Sequence, residues 1–325
     1  MINHSKDFRN PIMDMRDFGN SNLCMSKCLV TGGAGFIGSH LVDALIEKGH
    51  EVLVIDNLST GKKEYVNPKA RFFELDLREL DKIKPLFEGV DYVFHEAALP
   101  RIPLSIEKPL ETNDINIKGT LNVLVAAKDA GVKKVIYASS SSVLGEEAAL
   151  PMKEDAPCHP LNPYALQKYV GELYCKIFSD IYGLPTVSLR YFNVYGPRQP
   201  REGAHTPVIG IFLTQKKAGQ PLTITGDGEQ TRDFSHIFDV VRANILAMES
   251  DKVGRGEVIN IGAGDNHSIN EVAKMIGGET VHIPARPGEM RDTLADTTRA
   301  KELLGWQPEI TLEEGIKKLL EEENE

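Results

Sequence analysis

Eight residues, Thr31-Gly32-Gly33-Ala34-Gly35-Phe36-Ile37-Gly38, join a short β-branched run to a stretch with apolar positions three and four apart, and three of their glycines fall at GxxGxxG spacing. Gly32 allows a tight turn, Gly35 lets the backbone approach a pyrophosphate with no Cβ in the way, and Gly38 lets the helix pack closely on the strand. The start of the helix then faces the anion. Glycine turns are common, so the spacing alone decides little; here Asp56 follows eighteen residues after Gly38, at the end of the next predicted strand. A carboxylate there accepts both hydroxyls of an adenosine ribose and repels a 2′-phosphate, which favours NAD over NADP. A nucleoside-triphosphate loop is excluded, because Ser39 and His40 follow Gly38 in place of Lys and Ser or Thr.

The chain continues with the same alternation. Strands are predicted over 28–31, 52–55, 72–75, 92–95, 135–138 and 186–190, and helices over 36–48, 80–87, 115–130 and 164–182. Crossovers of this length join parallel strands, which predicts an α/β fold with a doubly wound parallel sheet of Rossmann type. Beyond residue 190 prolines and glycines break the pattern; a strand over 258–261, a capping box at Ser268-Ile-Asn-Glu271 and an amphipathic helix over 312–320 follow. The expected division is a polar tail over 1–25, a dinucleotide-binding domain over 26–191 and a smaller, mainly substrate-binding region over 192–325. Segments near 234–261 are expected to return to the first domain.

Charge and cysteine usage narrow the function. Thirty-seven Lys and Arg against 47 Asp and Glu give a net charge of -10, which repels phosphate backbones and argues against nucleic-acid binding. No run approaches the eighteen apolar residues of a membrane span, and residues 1–25 lack the apolar core of a signal peptide, so a cytoplasmic protein is expected. Cys24, Cys28, Cys158 and Cys175 have no paired CxxC spacing, and no HExxH occurs; neither a metal site nor a disulfide framework is expected.

Asn162-Pro163-Tyr164 supplies an N-cap, a proline suited to the first helical position and a tyrosine, with Lys168 at i+4 on the same face. An ammonium beside a phenol favours phenolate and lowers its pKa from about 10. YxxxK spacing recurs by chance, and Tyr65-Val-Asn-Pro-Lys69 is a second copy, in which Pro68 disrupts the helical turn. Tyr164 and Lys168 stand out because the hydroxyl cluster Ser139-Ser140-Ser141-Ser142 lies at the end of a predicted strand, where ligands of doubly wound sheets bind.

Several ordered stretches, TGGAGFIGS from Thr31, Asp76-Leu77, HEAA from His95, NIKGT from Asn116, YALQK from Tyr164, RYFNVYGPR from Arg190 and GEQTRDF from Gly228, together resemble the extended short-chain dehydrogenase/reductase family. Within it the chain resembles the nucleotide-sugar epimerases of UDP-hexose 4-epimerase type. The resemblance implies an NAD enzyme with Tyr164 as the base, Lys168 as its electrostatic partner and nicotinamide-ribose ligand, and Ser140, with Ser142 second, bonding the sugar 4-oxygen. It implies cofactor contacts from Gly32, Gly35, Phe36, Ile37, Gly38, Asp56, Asn57, Asp76, Leu77, Ala97, Ala98 and Tyr191. Asn193, Arg232 and Arg286 would hold the substrate pyrophosphate, and Asn116 would be structural. A homodimer through the helices over 116–130 and 164–182 is also implied.

Carboxylates that serve elimination or decarboxylation in related enzymes are replaced here by Ser140, Ser141 and Ser142, which leaves oxidation followed by reduction. Asn193 stands where glucuronate 4-epimerases tend to carry Thr, favouring a neutral hexose. In the family it resembles, the position matching Thr293 is a gate beside the sugar 2-substituent, and the resemblance with a small residue there implies interconversion of UDP-N-acetylglucosamine and UDP-N-acetylgalactosamine, with UDP-glucose and UDP-galactose also accepted. The alternatives are a UDP-glucuronate 4-epimerase and a non-catalytic dinucleotide-sensing protein. Two departures from the family pattern are Leu144, in place of a tyrosine, and Pro100-Arg101.

Overall fold

The computed structural model describes residues 25–146, 149–201, 207–284 and 290–324. The first half runs β1 (Lys27–Thr31), α1 (Phe36–Glu47), β2 (Glu51–Asp56), β3 (Arg71–Glu74), α2 (Leu80–Ile83), β4 (Tyr92–His95), α3 (Ile102–Glu107), α4 (Pro109–Asn113), α5 (Gly119–Ala130), β5 (Lys134–Ser140), α6 (Pro163–Tyr182) and β6 (Thr186–Tyr191). There follow α7 (Val208–Lys217), β7 (Leu222–Thr225), β8 (Thr231–Asp233), α8 (Ile237–Glu249), β9 (Glu257–Ile261), β10 (Asn266–Ser268), α9 (Ile269–Ile276), β11 (Thr280–Ile283), α10 (Thr298–Leu304) and α11 (Leu312–Asn324).

Seven strands pair in the order β3-β2-β1-β4-β5-β6-β9, all parallel. The strands are apolar on both faces because both are covered. Val30 and Phe94 pack with Leu41, Val241 and Trp306 on one side. Their chain neighbours Leu29 and Val93 pack with Leu124, Tyr137 and Cys175 on the other. The direction of winding reverses between β1 and β4, and the loops after those strands open a crevice there.

The later elements divide between two cores. β9 extends the main sheet beside β6, and α8 joins the core that contains α1. Phe212, Leu222, Val272 and Ile316, from α7, β7, α9 and α11, build a separate core beside it. Two short pairs, β7 with β11 in parallel and β8 with β10 antiparallel, lie outside the main sheet.

Two local departures from the predicted helices have backbone causes. The helix predicted over 80–87 is α-helical only to Ile83 and tightens to a 3-10 turn at Lys84–Phe87, because Pro85 has no N–H to give. Residues Asp114–Lys118 form a π turn before α5, in which Asn116 is buried. Its Oδ1 accepts from Leu99 N at 2.8 Å and its Nδ2 donates to Gln167 Oε1 at 2.7 Å, tying the loop after β4 to α6.

Candidate functional site

A single cleft of about 2680 Å³ runs from the glycine loop to β8. At its head Gly32 has φ +73, and a Cβ there would meet Ala97 N at 2.7 Å. A Cβ on Gly38 would overlap the Gly32 carbonyl oxygen, so only glycine lets α1 start this close to β1. Gly35 caps α1 without a side-chain bond, which leaves the first-turn N–H groups, from Phe36 onwards, to the cleft.

Asp56 ends β2 with one oxygen accepting Ala34 N at 3.0 Å and the other accepting Leu58 N at 2.8 Å. Burial pushes its pKa up, and the two N–H groups oppose that. Each oxygen keeps acceptor capacity for a further donor. Asn57 donates to Asp76 at 3.0 Å, and the Asp76 carboxylate is clasped by Arg78 through 3.0 and 2.8 Å bonds, which hold it well below the usual carboxylate range. With Leu77, Ala97 and Ala98 these groups line the same end of the cleft. A cradle that a Cβ would fill, open helix N–H groups and a buried carboxylate at a strand end fit a dinucleotide.

α6 begins as its sequence predicts: Asn162 Oδ1 accepts Ala165 N at 2.9 Å, and Pro163 occupies the first turn. Tyr164 is thereby placed at the cleft wall, with its N–H on Ser105 Oγ at 3.1 Å. β5 then divides the serine cluster. Ser139 donates to the buried Glu172 at 2.5 Å, whereas Ser140 faces Tyr164 and Ser142 bonds to Ser140. Ser140 Oγ accepts from both the Ser142 hydroxyl (2.9 Å) and the Ser142 N–H (3.3 Å), so its own proton is directed at the Tyr164 oxygen.

One expectation needs correction here. The Tyr164 phenol is not lowered by Lys168 in the protein alone: burial pushes it up to about 12, opposed by the hydrogen bond to Ser140. Lys168 is itself buried and donates to Ala138 O at 2.7 Å, with the Tyr137 ring 5.1 Å away. Burial lowers the ammonium to about 8, and the Glu96 carboxylate is the first of the charges that oppose the shift.

At the far end, Asn193 adopts φ +27 and donates to Asp233 O at 3.0 Å, and Arg232 rests its Nη1 on Thr231 O (2.9 Å) and Arg291 O (3.0 Å). Both side chains line the cleft. Arg286 lies outside the described residues. Thr293 does not line the cleft, contrary to its expected place as a gate: it is 1% exposed, and its Oγ1 accepts from Asp233 N at 3.1 Å and Asn193 Nδ2 at 3.4 Å. The two hydrogen bonds draw it behind Asn193, so its influence on a ligand runs through that side chain. Leu144 proves to be a core residue, fully buried with Val143, Met152, Phe192 and Ala295.

Sequence reasoning assigned no role to three groups that shape the site. Asp233 accepts the N–H groups of Ala263, Gly264 and Ala295 and so fixes β8. Arg190 and Glu172 form a buried bidentate pair behind Ser139. Glu96, immediately after β4, accepts from the Tyr191 hydroxyl at 2.9 Å. For Glu96 the one available signal was a carboxylate at the C-terminal end of a parallel strand.

Comparison with known proteins agrees with this geometry. A model of the NAD dependent epimerase/dehydratase family matches residues 28–262. A UDP-glucose 4-epimerase from Mycolicibacterium smegmatis is 39% identical over 308 residues, covering 91% of this chain and 97% of that one. Among solved structures, UDP-glucose 4-epimerase from Thermotoga maritima with UDP-glucose superposes at a TM-score of 0.88 with 42% identity, over 92% of this chain and 100% of that one. UDP-N-acetylglucosamine 4-epimerase from Methanobrevibacter ruminantium, in complex with UDP-N-acetylmuramic acid, gives 0.86 and 38%, again over 92% and 100%.

Proposed function

The chain belongs to the NAD-dependent epimerase/dehydratase family, and on that premise we propose that it interconverts UDP-hexoses at C4 through a transient 4-keto sugar. The observation that carries this reading is the Tyr164–Ser140–Ser142 hydroxyl cluster with buried Lys168 behind it, at the C-terminal end of β5 in the cleft that begins at the glycine loop. When bound, NAD supplies reversible hydride acceptance. The Tyr164 oxygen takes the proton of the sugar 4-hydroxyl as the ketone forms, and returns it after the sugar has turned its other face. Ser140 holds a hydrogen bond on the Tyr164 oxygen, and that bond favours the phenolate against burial. No carboxylate stands at Ser140–Ser142, so the cluster lacks the acid and base that elimination of water needs.

For the sugar, the reading extends to the acetylated pair as the preferred substrates, with UDP-glucose and UDP-galactose also turned over. Thr293 is buried and bonded to Asn193, which lines the cleft, so its influence on the sugar runs through that side chain. The similarity to a UDP-N-acetylglucosamine 4-epimerase supports this reading. Chromatography after incubation with each of five UDP-sugars, the two acetylated, the two non-acetylated and the glucuronate, tests it. The acetylated pair should interconvert fastest. Conversion of the glucuronate alone would select the uronate epimerase instead, and a protein that binds NAD but converts none would be a sensor.

The same reading includes a homodimer. Leu166, Leu173, Ile177 and Ile181 recur along one face of α6 and are all exposed, as is Leu110 on α4. Sedimentation should give twice the 35.9 kDa chain mass; a monomer at micromolar concentration would refute it. Among the described residues no helix is long and apolar enough to cross a membrane, and Cys28, Cys158 and Cys175 are free thiols.

A further inference from the structure

Among the described residues other than glycine, φ lies in the left-handed range at Leu58 (+56), Asn193 (+27) and Arg198 (+60). Such backbone is costly for a residue with a side chain and persists where surrounding contacts over-determine it. Leu58 stands in the loop after β2, and Asn193 and Arg198 in the loop after β6. These two loops meet over α1.

Asp43, on α1, makes the junction: its Oδ1 accepts Asn67 Nδ2 at 2.7 Å from one loop, and its Oδ2 lies 2.8 Å from Arg198 Nη1 of the other. About one turn earlier on the helix, His40 Nε2 donates to Pro197 O at 2.9 Å. The Tyr65 ring joins the two sides, with the Arg198 guanidinium carbon 5.7 Å and Lys62 Nζ 5.5 Å from its centroid. Lys62 N donates to Ala34 O at 2.9 Å, and a Cβ on Gly61 would meet Ala34 at 2.9 Å, so the first loop also lies directly against the glycine loop.

Strands β2 and β6 flank β1, β4 and β5 in the sheet. Loops that leave their ends and meet therefore close a ring across the ends of the three strands between them, where the glycine loop, Ala97-Ala98 and the Ser140 cluster stand. Asp43, Tyr65 and Arg198 all line the cleft. The Arg198–Asp43 contact has the distance of an ion pair without the alignment of a hydrogen bond, and both side chains keep some access to water. A contact of that kind opens without unfolding the chain.

We propose that Arg198 is a positioning residue for the cofactor: by joining Asp43 and Tyr65 it clasps the loop after β6 to the loop after β2 and gates the exchange of NAD. A dinucleotide reaching from Asp56 to the hydroxyl cluster at Tyr164 crosses the three strand ends inside the ring, so its release requires the clasp to open. The clasp is made of the chain's own groups. Bound and free protein share it, and loosening it changes the barrier to exchange more than the affinity.

Arg198→Met, which keeps the stem and removes the charge, and Tyr65→Leu, which removes the ring, test this from the two sides; Tyr65→Phe keeps the ring. Protein loaded with isotopically labelled NAD is chased with excess unlabelled NAD, and the label still bound is read after gel filtration; equilibrium dialysis gives the Kd. Release should accelerate about fivefold or more in Arg198→Met and in Tyr65→Leu, with Kd within about threefold of the parent, and should stay near the parent rate in Tyr65→Phe. If Arg198→Met does not fold, Tyr65→Leu carries the test. Unchanged release in a folded Arg198→Met or Tyr65→Leu would overturn the proposal, as would equal acceleration in Tyr65→Phe. So would a Kd that rises in step with release, since that marks a lost contact to the cofactor itself. No sugar nucleotide enters the experiment, so its outcome is independent of the 4-epimerase reading.

Discussion

Tyr164→Phe should lower kcat by about 10²–10⁴-fold while leaving NAD bound, since it removes the one group placed to carry the 4-hydroxyl proton and touches none of the glycine loop. The phenyl ring keeps the volume of the buried side chain, so the fold should persist. Turnover is read with UDP-sugars, and bound cofactor by its absorbance after denaturation. Near-parental turnover would remove Tyr164 from its role. Loss of NAD together with turnover would place the ring in cofactor binding rather than in proton transfer.

Arg190→Met should destabilise the chain by about 3–5 kcal/mol. Arg190 and Glu172 are each 3% exposed and meet through two 2.8 Å bonds, and Glu172 Oε1 also accepts from Ser139. Removing the guanidinium leaves a buried carboxylate with Ser139 as its remaining hydrogen-bond donor among the described residues. The pair clamps α6 against β5 and β6, and Lys168 lies one turn before Glu172, with Tyr164 one turn earlier still. Damage to the clamp should therefore reach the catalytic helix as well as the fold. Urea unfolding measures the loss, and the apolar double variant Arg190→Met with Glu172→Leu should recover much of it, because replacing both members leaves no unpaired charge. A single-variant loss below about 1 kcal/mol would mean that the pair is solvated or dispensable.

Much of this was legible in the chain because the sheet is covered on both faces. Doubly buried strands must be short apolar runs, and the helices between them must carry an apolar stripe, so the order β1, α1, β2 and onward is written in periodicity. Gly32 and Gly38 could be assigned from backbone demands alone, since only glycine meets them. The turns were harder: the Pro85 break and the π turn around Asn116 depend on the backbone-bonding pattern rather than on hydrophobic spacing. α8, almost wholly buried, offers no polar face by which its period could be seen.

Site chemistry divided in a similar way. Tyr164, Lys168, Ser140 and Ser142 were visible as residue types at strand and helix ends, and the structure brings them together. Their energetics were not visible. The rise of the Tyr164 phenol reflects how completely α6 and β5 exclude water, and the placement of Thr293 behind Asn193 reflects hydrogen bonds between residues 100 and 60 positions apart. The Glu96 carboxyl meets the hydroxyl of Tyr191, 95 residues further along the chain, and that hydroxyl in turn meets Asn244. Such partners meet only in the folded protein.

The central claim is that one sugar carbon gives up its hydrogen and receives the same hydrogen back on its other face. A UDP-hexose carrying deuterium at C4 should yield its 4-epimer with the deuterium still at C4, with no NADH accumulating in solution. Product with C4 hydrogen from solvent, or stoichiometric NADH released with an oxidised sugar, would contradict it.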